Sequence, residues 1–74
     1  MYLYFLAVQC PIPENPSHGK SLFTAVQFNS IVSYECDHGF RLIGNQTRTC
    51  ESHQKWSGAQ PYCRGKVDFE LHLI

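Results

Sequence analysis

Four cysteines are the side chains in this 74-residue chain with the clearest potential for chemistry: Cys10, Cys36, Cys50 and Cys63. No two of them form a Cys-x-x-Cys pair, which the thioredoxin motif and the commonest zinc knuckles require. A catalytic cysteine needs a nearby base and an electropositive pocket, and no neighbour in the sequence distinguishes one of the four. Their even number in so short a chain favours two structural disulfides, although spacing alone leaves three pairings open.

A zinc site is the chemical alternative, because two Cys–His pairs lie on neighbouring segments, Cys36 with His38 and Cys50 with His53. One residue separates the members of the first pair, whereas structural zinc sites usually leave about two to four residues between ligands. Such a site would also leave the other two cysteines without a role. We therefore predict no metal and no cofactor, with both histidines in exposed turns, and keep a cytosolic zinc-binding module as a remote alternative.

The size and charge of the chain limit its fold and its partners. A chain this short buries roughly 60% of the surface that its unfolded form exposes, so its small core needs covalent reinforcement. Six basic residues balance six acidic ones, and the basic residues are scattered along the sequence. Because nucleic acid binding requires clustered positive charge, nucleic acid is excluded as the main partner.

Residues 1–9 form a short apolar N-terminal segment, MYLYFLAVQ. A signal peptide combines a basic start, an apolar stretch and a small-residue cleavage pattern, and this segment has neither the basic start nor the pattern. No apolar run is long enough to span a membrane. The sequence therefore predicts no membrane span and no convincing targeting signal, which favours a fragment or an abbreviated gene product.

The pattern between the cysteines predicts short strands rather than helices. No window of about eleven residues carries the apolar period of a helix. Residues 31–36 alternate, with Val32, Tyr34 and Cys36 on one face, and residues 40–43 alternate again. Turn signals at residues 37–39 and 44–45 separate these segments. The result is a predicted all-β module with a core of six residues: Phe28, Val32, Tyr34, Phe40, Leu42 and Trp56.

The order of these elements resembles the sushi domain, also called the complement control protein module or short consensus repeat. The resemblance covers residues 10–63 and depends on four cysteines, one tryptophan and several glycines in a set order. The matching positions are Cys10-Pro11, Gly19, Val32-x-Tyr34-x-Cys36, Gly39-Phe40-x-Leu42-x-Gly44, Cys50, Trp56 and Pro61-x-Cys63. Residues 64–74 then form a C-terminal tail, which we expect to be poorly ordered.

The resemblance implies two disulfides, Cys10–Cys50 and Cys36–Cys63, in a small elongated disulfide-stapled module of short antiparallel strands with Trp56 buried. It also implies a non-enzymatic protein-binding or spacer module of the complement-regulator or adhesion-receptor type. Such a module is secreted or part of an ectodomain, has neighbouring sushi modules in a parent protein, and has complement or cell-surface proteins as plausible partners. A free-standing small secreted effector or inhibitor is the alternative.

Two positions depart from the family pattern. The family usually has glycine two residues before its tryptophan, where this chain has Gln54. Either the turn needs positive φ at that position and Gln54 is strained, or the turn differs from that of the family. The family often has glycine seven residues before the second cysteine, where this chain has Asn29, a residue that tolerates the left-handed conformation.

Three side chains outside the framework are candidate sites. Asn45-Gln46-Thr47 is an N-glycosylation acceptor in a predicted turn, so we expect Asn45 to carry a glycan in a glycosylating host. Leu22 and Phe23 lie in the variable stretch 20–27 and are candidate contacts to a protein partner, unless they fold back on the small core. No residue is predicted to be catalytic, because no triad, paired-carboxylate site or phosphate loop occurs.

Overall fold

The computed structural model describes residues 8–65 as five strands in two antiparallel sheets, with no helix in that range. The strands are β1 Gly19–Leu22, β2 Ile31–Cys36, β3 Phe40–Ile43, β4 Thr47–Thr49 and β5 Tyr62–Gly65. One sheet has the order β1-β2-β4, and the other pairs β3 with β5. The predicted all-β fold is confirmed, and residues 8–65 contain no helix that could cross a membrane.

Alternation along β2 decides which side of the three-stranded sheet is buried. Val32 and Tyr34 are 0% and 1% exposed, whereas Ile31 is 59% exposed. β1 pairs with β2 so that Leu22 lies opposite Ser33. Directly opposed residues of an antiparallel ladder share a face of the sheet. Ser33 and Ile31 are two residues apart on β2, so their side chains point to the same face. Leu22 and Ile31 therefore both lie on the outer face, away from the core.

The hydrophobic core lies beside the first disulfide. Its members are Cys10, Val32, Tyr34, Cys50 and Trp56, with Val26 and Leu42 packed against them. The indole Nε1 of Trp56 donates a hydrogen bond to the carbonyl of Pro11 at 2.8 Å. This bond satisfies the one polar atom of the largest core side chain, which burial would otherwise penalise. The core residues predicted at 32, 34 and 56 are therefore buried together, and Leu42 lies at their margin.

Phe40 and Phe28, which the sequence also predicts to be core residues, lie outside this cluster as half-buried side chains. Phe40 opens β3 opposite Gly65, and its ring stacks on His18 with ring centroids 4.2 Å apart. A residue from a segment without any apolar period, Val8, is buried instead. Val8 is only 6% exposed, and its carbonyl accepts a hydrogen bond from the Phe28 amide at 3.0 Å.

The folded part extends past both predicted boundaries. Gln9 forms an isolated β-bridge with Gln27, so residues 8–9 belong to the module and not to a separate N-terminal segment. At the other end β5 continues through Arg64 and Gly65, two residues that the sequence assigned to the tail. Residues 1–7 and 66–74, including the rest of the predicted tail, lie outside the described residues.

Three non-glycine residues adopt a left-handed backbone conformation: His18, Asn29 and Gln54, with φ values of 61°, 71° and 66°. The strain expected at Gln54 is therefore present, and a left-handed non-glycine residue costs on the order of 1 kcal/mol or more. A tight turn imposes it, because the Gln54 amide donates to the Glu51 carbonyl at 3.0 Å and the Glu51 amide donates to the Lys55 carbonyl at 2.9 Å. At Asn29 the same conformation is milder, since asparagine tolerates it.

Candidate protein-contact surface

The module has the two disulfides that the resemblance implies. Cys10 is bonded to Cys50 and Cys36 to Cys63, with Cα–Cα distances of 5.9 Å and 5.7 Å. Zinc binds cysteine as the thiolate, so neither cysteine of the alternative zinc site can supply a ligand. Both histidines of that alternative site are exposed, and residues 8–65 hold no cluster of three side chains suited to a metal ion.

The second disulfide joins the two sheets, because it ties the end of β2 to β5. It passes over Gly19, the first residue of β1, at a distance that leaves no room for a side chain. A Cβ on Gly19 would lie 2.6 Å from the Cys63 Sγ and 2.6 Å from the Glu35 carbonyl oxygen. Glycine is thus required here by close approach, and at this end the backbone of β1 lies directly against the disulfide sulfur of β5.

An exposed apolar surface lies where β1 ends beside the start of β2, and we call it the apolar edge. It consists of Leu22, Phe23 and Ile31, which are 42%, 37% and 59% exposed. Together with Ser21 and Thr24 they line a shallow open cavity of about 450 Å³. Leu22 and Phe23 therefore do not join the core, which was the alternative to their being candidate contacts.

The local fold explains why these three side chains meet. β1 ends at Leu22, and β2 begins at Ile31 on the neighbouring strand, so the loop between them brings both onto one margin of the sheet. The sequence prediction named Leu22 and Phe23 but missed Ile31. A signal for it existed, since Ile31 is an apolar residue out of phase with Val32 and Tyr34 on the face otherwise occupied by polar residues.

The apolar edge is electrically neutral. None of its lining residues ionises, and the nearest charges on the same face are Lys20 and Glu35, directly opposed on β1 and β2. Their Nζ and Oε1 atoms lie 3.2 Å apart, and both side chains are more than half exposed. An exposed ion pair of this kind contributes about 0–1 kcal/mol to stability. It leaves no net charge beside the edge, so the surface is suited to an apolar partner group.

A second concave surface of about 410 Å³ lies beside the tryptophan and differs in character. Glu14, Arg48 and Lys55 contribute charges of both signs, and Ile12 is 69% exposed there. The guanidinium of Arg48 is already engaged, since its Nε donates to the Ser57 carbonyl at 2.8 Å. Arg48 thereby holds in place the loop that carries Trp56, a role that no pattern around Arg48 in the sequence indicated.

Asn45, the predicted glycan acceptor, lies on the connection between β3 and β4 and is exposed. It directly precedes β4, whereas the apolar edge is formed at the end of β1 and the start of β2. The predicted modification site and the predicted contact residues therefore belong to different segments of the module.

Comparison with known proteins agrees with this architecture. The sushi repeat (SCR repeat) family model matches residues 10–63. Protein lev-9 of Caenorhabditis elegans is 40% identical over 57 residues, covering 77% of this chain and 9% of lev-9. The mouse sushi, von Willebrand factor type A, EGF and pentraxin domain-containing protein 1 is 39% identical over 59 residues, covering 80% of this chain and 2% of that protein.

Human fibulin-7 is also similar, at 35% identity over 60 residues, which is 81% of this chain and 14% of fibulin-7. The chain therefore spans only a small part of the length of each of these relatives. Sushi repeats are non-enzymatic protein-interaction modules of multi-domain extracellular proteins, and the two disulfides, the two antiparallel sheets and the buried Trp56 are the features of this chain that correspond to them. The chain belongs to the sushi repeat family.

Proposed function

We propose that this chain is a protein-binding and spacer module of a larger extracellular protein, of the complement-regulator or adhesion-receptor type. Its partner is a complement or cell-surface protein that places an apolar group on the apolar edge. The observation that carries the proposal is the exposure of Leu22 and Ile31 on an otherwise polar sheet face, with exposed Phe23 directly after the end of β1. Large apolar side chains grouped on a surface are the usual anchors of protein interfaces.

The completeness of the core supports this role. Val32, Tyr34, Trp56 and the first disulfide are buried without any contribution from the apolar edge. Leu22 and Phe23 are therefore not needed to close the fold, and their exposure costs hydration free energy that partner binding would recover. Burying apolar surface contributes roughly 25 cal/mol per Å² removed from water.

The relatives support the setting of the module within a larger protein. One is named for sushi, von Willebrand factor type A, EGF and pentraxin domains, and this chain matches 2% of it. A module of this size is therefore one unit among many in that protein. By analogy, the parent of this chain has neighbouring sushi modules, and this module both separates its neighbours and contacts a partner.

Binding to an array of recombinant complement and cell-surface ectodomains tests the proposal. The secreted chain is compared with a Leu22→Ser/Phe23→Ser double variant. We expect at least one ectodomain to bind the wild-type chain and to lose on the order of tenfold or more in affinity with the double variant, since loss of an interface anchor costs above about 1.4 kcal/mol.

An Ile12→Ser variant, changed on the charged concave surface, is the matched control and should keep the wild-type affinity. Thermal unfolding of each variant establishes that the fold is retained. Equal binding by the wild-type chain and the double variant would contradict the role of the apolar edge. The single variant Phe23→Ala should stay folded, and its unfolding would contradict the placement of Phe23 at the surface.

A further inference from the structure

The triplet Asn45-Gln46-Thr47 is the sequence motif that the proposed function does not use. Asn45 and Gln46 lie in the connection between β3 and β4, Thr47 is the first residue of β4, and residues 44–47 are all exposed. We propose that Asn45 is N-glycosylated when this chain enters a secretory pathway. This inference is independent of which protein the apolar edge binds.

The reaction needs an accessible asparagine amide two residues before a serine or threonine. The Nδ2 atom of Asn45 forms a bond to the anomeric carbon of an oligosaccharide carried on a polyprenyl diphosphate. The bond between that carbon and the diphosphate oxygen breaks, and the diphosphate leaves with the electron pair. The amide proton passes to a base of the oligosaccharide transferase, so atoms and charge balance.

The position of Asn45 along the chain makes it accessible before the module closes. Residue 45 lies inside both disulfide loops, 10–50 and 36–63. Cys50 and Cys63 both follow it in the sequence, and chains emerge from their N-terminal end during synthesis. The transferase can therefore meet Asn45 before either disulfide closes, so the fold does not have to open for the sugar to be added.

The folded module then has room for the sugar. A glycine lies beside the amide, since a Cβ built on Gly58 would be 3.7 Å from the Asn45 Nδ2. Residues 58–60 are exposed, which leaves a surface without large apolar side chains beside the acceptor nitrogen. Asn45 adjoins β4, whereas Leu22 lies on β1, so two strand spacings of about 4.8 Å each separate their edges of the sheet.

A second asparagine triplet in the same module provides an internal control. Asn15-Pro16-Ser17 has the right ends, but its central proline excludes it as an acceptor. The Asn15 side chain also has a structural role, because its Oδ1 accepts hydrogen bonds from the Ser21 amide at 2.8 Å and the Ser21 hydroxyl at 2.9 Å.

The test uses the full chain, expressed behind a heterologous signal peptide in animal cells and recovered from the medium. Treatment with a peptide N-glycosidase in heavy-oxygen water converts a glycosylated asparagine to labelled aspartate, which peptide mass spectrometry locates. We expect the label at Asn45 and none at Asn15. Thr47→Ser should keep the glycan, whereas Thr47→Val, which preserves the β-branched shape without the hydroxyl, and Asn45→Gln should lose it.

Unmodified Asn45 in the secreted, disulfide-bonded wild-type chain would overturn the proposal, and so would a glycan that persists in both Thr47→Val and Asn45→Gln. The site label on the wild-type chain decides the question even where a variant is not secreted. The result is also separable from the binding experiment, since the Asn45→Gln chain retains the complete apolar edge.

Discussion

The two ends of the module hold together in different ways. At the tryptophan end, formed by Cys10, Cys50, Val32, Tyr34 and Trp56, the disulfide is 4% and 0% exposed at its two cysteines and lies within the hydrophobic core. At the glycine end, formed by Cys36, Cys63, Gly19, Phe40 and Gly65, the disulfide is half-buried and only strand pairing and one aromatic stack accompany it.

The two disulfides do not by themselves explain why the two ends should differ in their contribution to stability. The disulfides span 40 and 27 residues of sequence. In the chain-entropy model those loops stabilise the fold by similar amounts, about 4 and about 3.5 kcal/mol. The tryptophan end adds apolar burial to this contribution, whereas the glycine end adds a close contact between the Gly19 backbone and the Cys63 Sγ. We expect changes at the first end to destabilise the module more than the corresponding changes at the second end.

The largest effect is expected from removing the buried disulfide. A Cys10→Ala/Cys50→Ala variant loses about 4 kcal/mol of loop-closure stabilisation and two buried sulfur atoms in addition. A domain of this size has little stability to spare, so the chain should be unfolded at room temperature. Far-ultraviolet circular dichroism and the fluorescence of Trp56 would both report the loss.

The Cys36→Ala/Cys63→Ala variant is its matched partner. It loses about 3.5 kcal/mol of loop-closure stabilisation but no sulfur atoms from the hydrophobic core, so it should be the more stable of the two variants, with amide hydrogen exchange fastest in β3 and β5. Global unfolding in both variants, at the same denaturant concentration, would contradict the proposed inequality of the two ends.

An aromatic residue from each end gives the second comparison. Trp56→Ala should lower the free energy of unfolding by about 3–5 kcal/mol, because it empties the centre of the core. Phe40→Ala should cost only about 1 kcal/mol, since its half-buried ring stacks on His18 near the surface. Denaturant titration measures both values, and a Phe40 effect as large as that of Trp56 would place Phe40 in the core after all.

At the glycine end, Gly19→Ala tests the backbone contact. The added methyl group would collide with the Cys63 Sγ and the Glu35 carbonyl, so we expect a loss of about 1–3 kcal/mol by overpacking. Lys20→Ala, one residue along the same strand, removes only an exposed ion pair and should cost less than about 1 kcal/mol. Thermal unfolding compares the two. Equal stability of the Gly19 variant and the wild-type chain would show that the sheets are free to separate there.

The smallest effect is expected inside the core, at Tyr34. Its hydroxyl is buried and has no hydrogen-bond partner among the described residues, which costs free energy in the folded state. Tyr34→Phe removes that group without changing the ring, so unfolding should require about 1 kcal/mol more. Tyr62→Phe, at a residue that is 56% exposed, should leave stability unchanged. A Tyr34→Phe variant less stable than the wild-type chain would show that the hydroxyl is satisfied in solution.

Local sequence patterns were sufficient to predict strands β2 and β3 and the buried face of β2. Alternation in residues 31–36 and 40–43 predicted β2 and β3, because the side-chain period of a strand is visible in one segment alone. The resemblance implied both disulfides, and the missing glycine two residues before Trp56 correctly indicated strain, since Gln54 has a φ of 66°. Periodicity also indicated the buried faces at Val32 and Tyr34.

Only the tertiary structure decided what covers those faces. Val8 and Val26 flank the core although their segments have no period, Phe40 stacks on His18 outside it, and Ile31 joins Leu22 at the surface. Glycine is required at position 19 because a side chain there would collide with the Sγ of Cys63, a residue 44 positions later in the sequence. The physical reason is that a strand's own sequence specifies which side chains point the same way, whereas burial depends on the segment that packs against them, and that segment is distant in sequence.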